Sequence, residues 1–145
     1  MPVNPIPKDY PRASPFLMVT DINKEADFLT TVFDAVETER IQLPDGTVKH
    51  VELRIGDSVI MLGEDSGRMG AMNSMVYLYV EDTAATYEKA LAAGATAVMP
   101  PGEQFYGDIN AGIRDSFGHY WWLATHVEDL TEDEMNERAA AFYAK

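Results

Sequence analysis

The sequence predicts an α+β protein in which one strand-and-helix module is written twice, and three observations carry that prediction. The first is a repeat at a constant offset of 61 positions: Phe16 answers Tyr77, Leu17 answers Leu78, Val19 answers Val80, Asp21 answers Asp82 and Leu62 answers Leu123. The second is that in each half an apolar strand runs into an acidic residue suited to cap a helix, and an amphipathic stretch follows. The third is a hairpin signal late in each half, Gly56-Asp57 in one and Asp115-Ser116-Phe117-Gly118 in the other. Two such modules that bring their sheets together enclose a concavity, so the repeat points to a pocket before any catalytic motif is sought.

Taken in order, residues 1–15 hold Pro2, Pro5, Pro7, Pro11 and Pro15, which favour an extended arm over a helix. A strand is expected over 14–20, with Asp21 as the cap of a helix whose apolar face is Ile22, Ala26, Leu29, Phe33 and Val36. Residues 42–46 turn the chain, and strands over 49–55 and 58–62 follow, with room for a further short strand near 38–42. Residues 63–74 are small and polar, as in a linker. The second half repeats the plan: a strand over 75–80, a helix from Asp82 to Ala93 stopped by Gly94, and a short strand over 95–99. An irregular loop is expected over 100–110, then a final hairpin of 111–114 with 119–125. Thr131-Glu132-Asp133-Glu134 reads as a capping box opening a C-terminal helix to about Tyr143. The whole, 1–145, is read as a single domain with modules at 14–62 and 75–126, linker 63–74 and terminal helix 131–143.

Composition narrows the function. The chain has 145 residues, long enough to bury a real core, and 46% of them are hydrophobic. There is no run of about 18 apolar residues and no basic-then-apolar start, so the expected compartment is the cytoplasm, without a membrane partner. Cysteine is absent, which removes disulfides, thiolate metal sites and cysteine nucleophiles. The formal charge of −13 against 11 Lys and Arg, with no clustered basic stripe, argues against nucleic acid.

The strand–helix–strand duplication combines with Val-Glu-Leu-Arg-Ile-Gly-Asp-Ser-Val-Ile-Met-Leu (51–62), Gln-Phe-Tyr-Gly-Asp (104–108) and Asp-Ser-Phe-Gly-His-Tyr-Trp-Trp-Leu-Ala-Thr-His (115–126). In these segments the chain resembles the vicinal oxygen chelate superfamily, and within it the PhnB-like branch of the glyoxalase, bleomycin-resistance and dioxygenase group. The resemblance implies paired βαβββ modules with sheets curved around a cup, often as a homodimer. It also implies four metal positions, one on the first and one on the last strand of each module. Strand-by-strand alignment puts these at Ser14, Met61, Met75 and Trp122, none of which is a metal ligand of that family, so no metal or other cofactor is expected.

What remains is an apolar, aromatic cup. Strand alternation assigns Ser14, Phe16, Met18, Val59, Met61, Met75, Tyr77, Tyr79, Tyr120 and Trp122 to the cup face, and Leu17, Val19, Ile60, Leu62, Leu78, Val80 and Leu123 to the helix side. Such a face can mould itself to a flat organic ligand, or its residues can simply pack on one another or on a second chain. His50, Glu52 and Arg54 share one face of a strand. They could supply an acid/base pair or a two-ligand half-site for a metal, ligand-contacting polar groups, or a structural network. Gln104, Tyr106 and Asp108 fall in the loop that borders the cup in similar proteins, while His119 is expected in a solvent-exposed turn and His126 at a strand end as a cap or surface group. The function expected is metal-independent binding of an aromatic or cationic small molecule through Phe16, Met18, His50, Glu52, Met61, Met75, Tyr77, Tyr79, Tyr106 and Trp122. The alternatives are a glyoxalase-like lyase, isomerase or dioxygenase, with a displaced metal site or with His50 and Glu52 as catalytic acid and base, and a structural or regulatory homodimer with a filled cup.

Overall fold

A computed structural model describes residues 4–64 and 72–144 of the chain. It has the expected α+β architecture, in two compact units, residues 1–73 and 74–145. Most of the linker expected over 63–74 lies outside the described residues.

The first unit runs β1 (Phe16–Val19), α1 (Ile22–Phe33), β2 (Val36–Gln42), β3 (Val48–Ile55) and β4 (Ser58–Glu64). Its sheet has the order β1-β4-β3-β2, with β1 parallel to β4 and the other pairs antiparallel. Asp21 caps α1 by accepting from the Lys24 N–H at 3.1 Å. The helix lays Ile22, Ala26, Phe28, Leu29, Val32 and Phe33 into the core, where Leu17, Val19, Val51, Leu53, Ile60 and Leu62 of the sheet are also buried. Each of the larger of these side chains contributes roughly 1.5–3 kcal/mol by leaving water, which fixes the helix to one face of the sheet. The apolar periodicity extends on paper to Val36, but the helix does not. Asp34 takes a left-handed conformation at φ 55° and ends it, and Val36 instead begins β2 with 62% of its surface exposed.

The second unit repeats this plan with β5 (Met75–Tyr79), α2 (Thr83–Ala92), β6 (Thr96–Glu103), β7 (Asp108–Arg114) and β8 (Tyr120–His126), then adds α3 (Glu132–Tyr143). The sheet order β5-β8-β7-β6 is the counterpart of the first. Asp82 caps α2, and Gly94, at φ 100°, follows its end. Thr131 and Glu134 form the reciprocal capping box at the start of α3.

Pairing register bears out the repeat. Leu17 faces Leu62 and Leu78 faces Leu123, while Phe16 faces Met61 and Tyr77 faces Trp122. The expected loop over 100–110 is corrected: β6 continues through Pro100 and Pro101 to Glu103, and β7 already begins at Asp108, leaving only a tight turn between them. Prolines suggest a loop because they donate no hydrogen bond, yet β6 lies at the sheet edge, where shifts of register at Ala97/Met99 and Met99/Gly102 absorb them.

Candidate ligand-binding faces

Each sheet buries one face under its helix and carries the expected site residues on the other. In the first unit Phe16, Met61 and Glu52 form one row across β1, β4 and β3, and Met18, Gly63 and His50 form the next. His50 and Glu52 therefore share the face of Met61, since Val51 and Leu53 between and beyond them are fully buried on the helix side. Gly63 lies under Phe16: a Cβ there would stand 2.5 Å from the Phe16 ring, which would have to swing aside. The ring, 49% exposed, also tilts against His50 at 5.7 Å between centroids. Val59, placed on the cup face by alternation, is only 1% exposed.

The His50–Glu52 pair is joined by a residue that strand reasoning passed over. His50 Nε2 lies 2.8 Å from Glu52 Oε2, and the Tyr10 hydroxyl of the N-terminal arm donates to Glu52 Oε1 at 2.5 Å. Arg54 donates to the Asp9 carbonyl and sits 5.9 Å from the Tyr10 ring. Burial alone would raise the Glu52 carboxyl, but the hydrogen bonds from Tyr10 and His50 outweigh it and hold the group below its usual range. The same bond to Glu52, helped by desolvation, pushes the Tyr10 phenol up to about 12. Nothing local in the sequence marks Tyr10, because its partner lies 42 positions away.

In the second unit the corresponding row is Tyr77, Trp122 and Gly112, and the next is Tyr79, Ala124 and Asn110. The Trp122 indole lies over Gly112, where a Cβ would come within 2.3 Å of the ring. Met75 and Tyr79 are 60% and 62% exposed, Tyr77 is 40% exposed, and the Tyr77 and Tyr79 rings meet edge to face at 5.4 Å. Beside them lies a buried polar cluster. The Tyr77 hydroxyl is 2.6 Å from Asp108 Oδ2 and 3.1 Å from Asn110 Oδ1, and the Asn110 amide donates to the Tyr106 hydroxyl. Asp108 Oδ1 is 2.9 Å from His126 Nδ1, whose Nε2 lies 2.7 Å from the exposed Asp129.

Burial by itself would raise Asp108, yet hydrogen bonds from Tyr77 and His126 keep its carboxyl below the usual range. Desolvation and the bond to Asp108 raise Tyr77, and His126 is raised by its contacts to Asp108 and Asp129. Asp108 and Asn110 are thus strand residues that back the phenols. His126 is more than a strand-end cap, and Gln104 remains in the turn, hydrogen-bonded through its backbone to Asp108. His119 is corrected outright. It is 1% exposed, and its Nδ1 lies 2.9 Å from the Ser74 hydroxyl and accepts from the Ser74 N–H, so the turn folds back onto the start of β5. Trp121 is fully buried and donates to Asp115 Oδ2 at 3.0 Å.

Of the four family metal positions, Ser14 and Met61 lie in the first unit, Met75 and Trp122 in the second. A hydroxyl, two thioethers and an indole N–H, which only donates, are not the imidazoles and carboxylates that hold a hard or borderline cation. The residues present do not fit that metal. No helix among the described residues is long and apolar enough to cross a membrane.

The sequence pattern of the Glyoxalase/Bleomycin resistance protein/Dioxygenase superfamily matches residues 12–123. An uncharacterized protein of Mycobacterium tuberculosis is 37% identical over 136 residues, covering 86% of this chain and 80% of its own length. Among solved structures, TioX from Micromonospora superposes with a TM-score of 0.68 at 26% identity, covering 79% of this chain and 99% of that one. The fosfomycin resistance protein FosX from Listeria monocytogenes, complexed with Mn(II) and sulfate, shares the fold with a TM-score of 0.64 at 20% identity, over 89% of this chain and 97% of that one.

Proposed function

Since the chain belongs to the glyoxalase/bleomycin resistance protein/dioxygenase superfamily, we propose that it is a small-molecule binding protein that works without a metal, in a branch similar to PhnB. The observation that carries this reading is the chemistry of the four repeat-related positions, Ser14, Met61, Met75 and Trp122. In their surroundings a flat organic molecule meets aromatic and thioether groups. Met75, Tyr77 and Tyr79 offer exposed apolar surface on the second sheet, backed by the Asp108 carboxylate and the Asn110 amide. That combination suits an aromatic ligand with a hydrogen-bonding or cationic edge, each ring contact adding roughly 0.5–2 kcal/mol beyond area burial. The working form is a homodimer in the cytoplasm.

Elemental analysis and titration test this together. The purified protein is expected to hold no stoichiometric divalent metal after mild chelation. A cationic aromatic hit from a thermal-shift screen is expected to bind the Trp122→Ala variant at least tenfold more weakly than wild type. One equivalent of tightly held metal, or unchanged affinity in a folded variant, would sink the reading.

One observation favours a second reading. The His50–Glu52 contact of 2.8 Å lies on the sheet face that carries Met61, as an acid/base pair of a lyase or isomerase would require. Turnover of any substrate that His50→Ala abolishes while the fold persists would establish that reading over sequestration.

A further inference from the structure

The N-terminal arm builds a second kind of surface on the first unit. Pro7, Tyr10, Pro11 and Arg12 of the arm, with Ser14, Glu52 and Met61, line a shallow, open concavity of about 510 Å³. That lies within the range of small-molecule sites, which are roughly 300–1,000 Å³ and mix apolar walls with a few polar groups. The arm is held in place. Tyr10 donates to Glu52, Arg54 donates to the Asp9 carbonyl, and the Tyr10 N–H bonds to the Pro7 carbonyl at 3.2 Å through a turn in which Asp9 is left-handed at φ 67°. The prolines restrict the backbone of the rest of the arm.

The polar groups of this concavity are not equivalent. Both oxygens of Glu52 are engaged, one by Tyr10 and one by His50, so this carboxylate is tied into the arm's own hydrogen-bond network. Arg12, in contrast, is exposed and makes no ion pair or side-chain hydrogen bond among the described residues. Its guanidinium is a planar fork of donors shaped for a carboxylate. The same concavity is lined by Ser14, Met61, Tyr10, Pro7 and Pro11. We infer that this arm-built concavity is a subsite for an aromatic monocarboxylate, with the carboxylate on Arg12 and the ring against Tyr10 and Met61. The inference rests on the binding-protein reading and adds to it the charge of a ligand group, at a concavity whose lining residues all belong to the first unit.

The test uses 2-naphthoate and 2-naphthylmethylamine, which share a ring system and differ in charge, in amide-resolved NMR titrations of the full chain. Naphthoate is expected to shift the Tyr10, Arg12, Ser14 and Met61 amides saturably, and the amine is not. Arg12→Gln should weaken naphthoate about tenfold or more, as for loss of a charge-assisted contact, while Arg12→Lys restores part of the affinity. Because Arg12 is exposed and unpaired, both variants should melt with wild type. Equal binding of naphthoate to Arg12→Gln, equal binding of the amine at these amides, or no saturable shift there would overturn the inference. If naphthoate saturates only at Tyr77, Tyr79 and Trp122, the arm subsite falls while the binding-protein reading stands. That reading is judged separately by its Trp122→Ala titration.

Discussion

Adding one methyl group under the Trp122 indole should distort the second face while leaving the module folded. In Gly112→Ala the new Cβ would stand 2.3, 2.7 and 2.8 Å from three carbons of the indole, where ordinary contact begins at 3.4 Å. The ring must retreat by about 1 Å, and three contacts on a rigid plane leave no small torsion that relieves them all. Overpacking of this kind costs about 1–3 kcal/mol. Trp122 is only half-buried, so the indole can tilt outward instead of forcing β7 from β8, which favours the lower half of that range. A loss of 1–2 kcal/mol lowers Tm by roughly 3–8 °C in a domain of this size. Fluorine NMR on 5-fluorotryptophan protein separates the effects. The Trp122 signal should move strongly, and that of Trp121, buried on the helix side and bonded to Asp115, should stay. Gly102→Ala is the control, because a Cβ there meets nothing within 4 Å and the backbone is not left-handed. A Gly112→Ala protein with wild-type Tm and an unmoved Trp122 signal would refute the placement of the ring.

Asp115→Ala removes the acceptor of the Phe117, His119 and Trp121 N–H groups at 2.9–3.0 Å in a buried site; urea unfolding should show a loss of about 2–4 kcal/mol, and a loss under 0.5 would contradict the geometry. The Asp108–His126 pair should give a stability window in pH. The depressed carboxyl contributes above its unfolded value and loses that contribution as pH falls through its folded one, whereas the raised imidazole contributes at low pH and loses it as pH rises through its folded value. The Tm difference between wild type and Asp108→Asn should therefore peak between about pH 4 and 6.5, and a flat difference from pH 3 to 9 would refute the coupling. Light scattering at micromolar concentration should give close to twice the 16.1 kDa chain mass, and a monomer mass would defeat the dimer.

The elements legible in the sequence are those fixed by short-range chemistry. Asp21 and Asp82 announce their helices, and the offset of 61 sets both parallel pairs, because Leu17–Leu62 and Leu78–Leu123 must enter equivalent cores. What was illegible depends on partners far along the chain. Pro100 and Pro101 suggest a loop unless the strand is known to lie at an edge, where their missing N–H groups cost no ladder bond. His119 belongs to a hydrophilic turn until Ser74, 45 positions earlier, is placed against it. Tyr10 looks like part of a proline-rich arm, and only the fold brings Glu52 to it. Alternation puts Met61, Tyr77 and Trp122 on the sheet faces away from the helices, whereas Asp108 reads only as a loop residue bordering the cup and Asn110 goes unmarked, because the start of β7 is misplaced.

Each sheet ends in two edge strands, β1 and β2 in one and β5 and β6 in the other, and β2 and β6 have a bearing on how much of this protein a cell can hold. A bare strand edge is a template for another chain to add itself as one more strand, the usual first step toward insoluble aggregates. Here β6 presents consecutive prolines and a broken register, while β2 presents Glu37, Glu39 and Arg40 along an exposed stretch. A molecule that neutralises a compound by holding it must be made in numbers that match the compound, one copy for each occupied site. Under the sequestration proposed above, the blunted edges of β2 and β6 would help such stockpiles stay dispersed, a requirement that a catalyst working in trace amounts would never face.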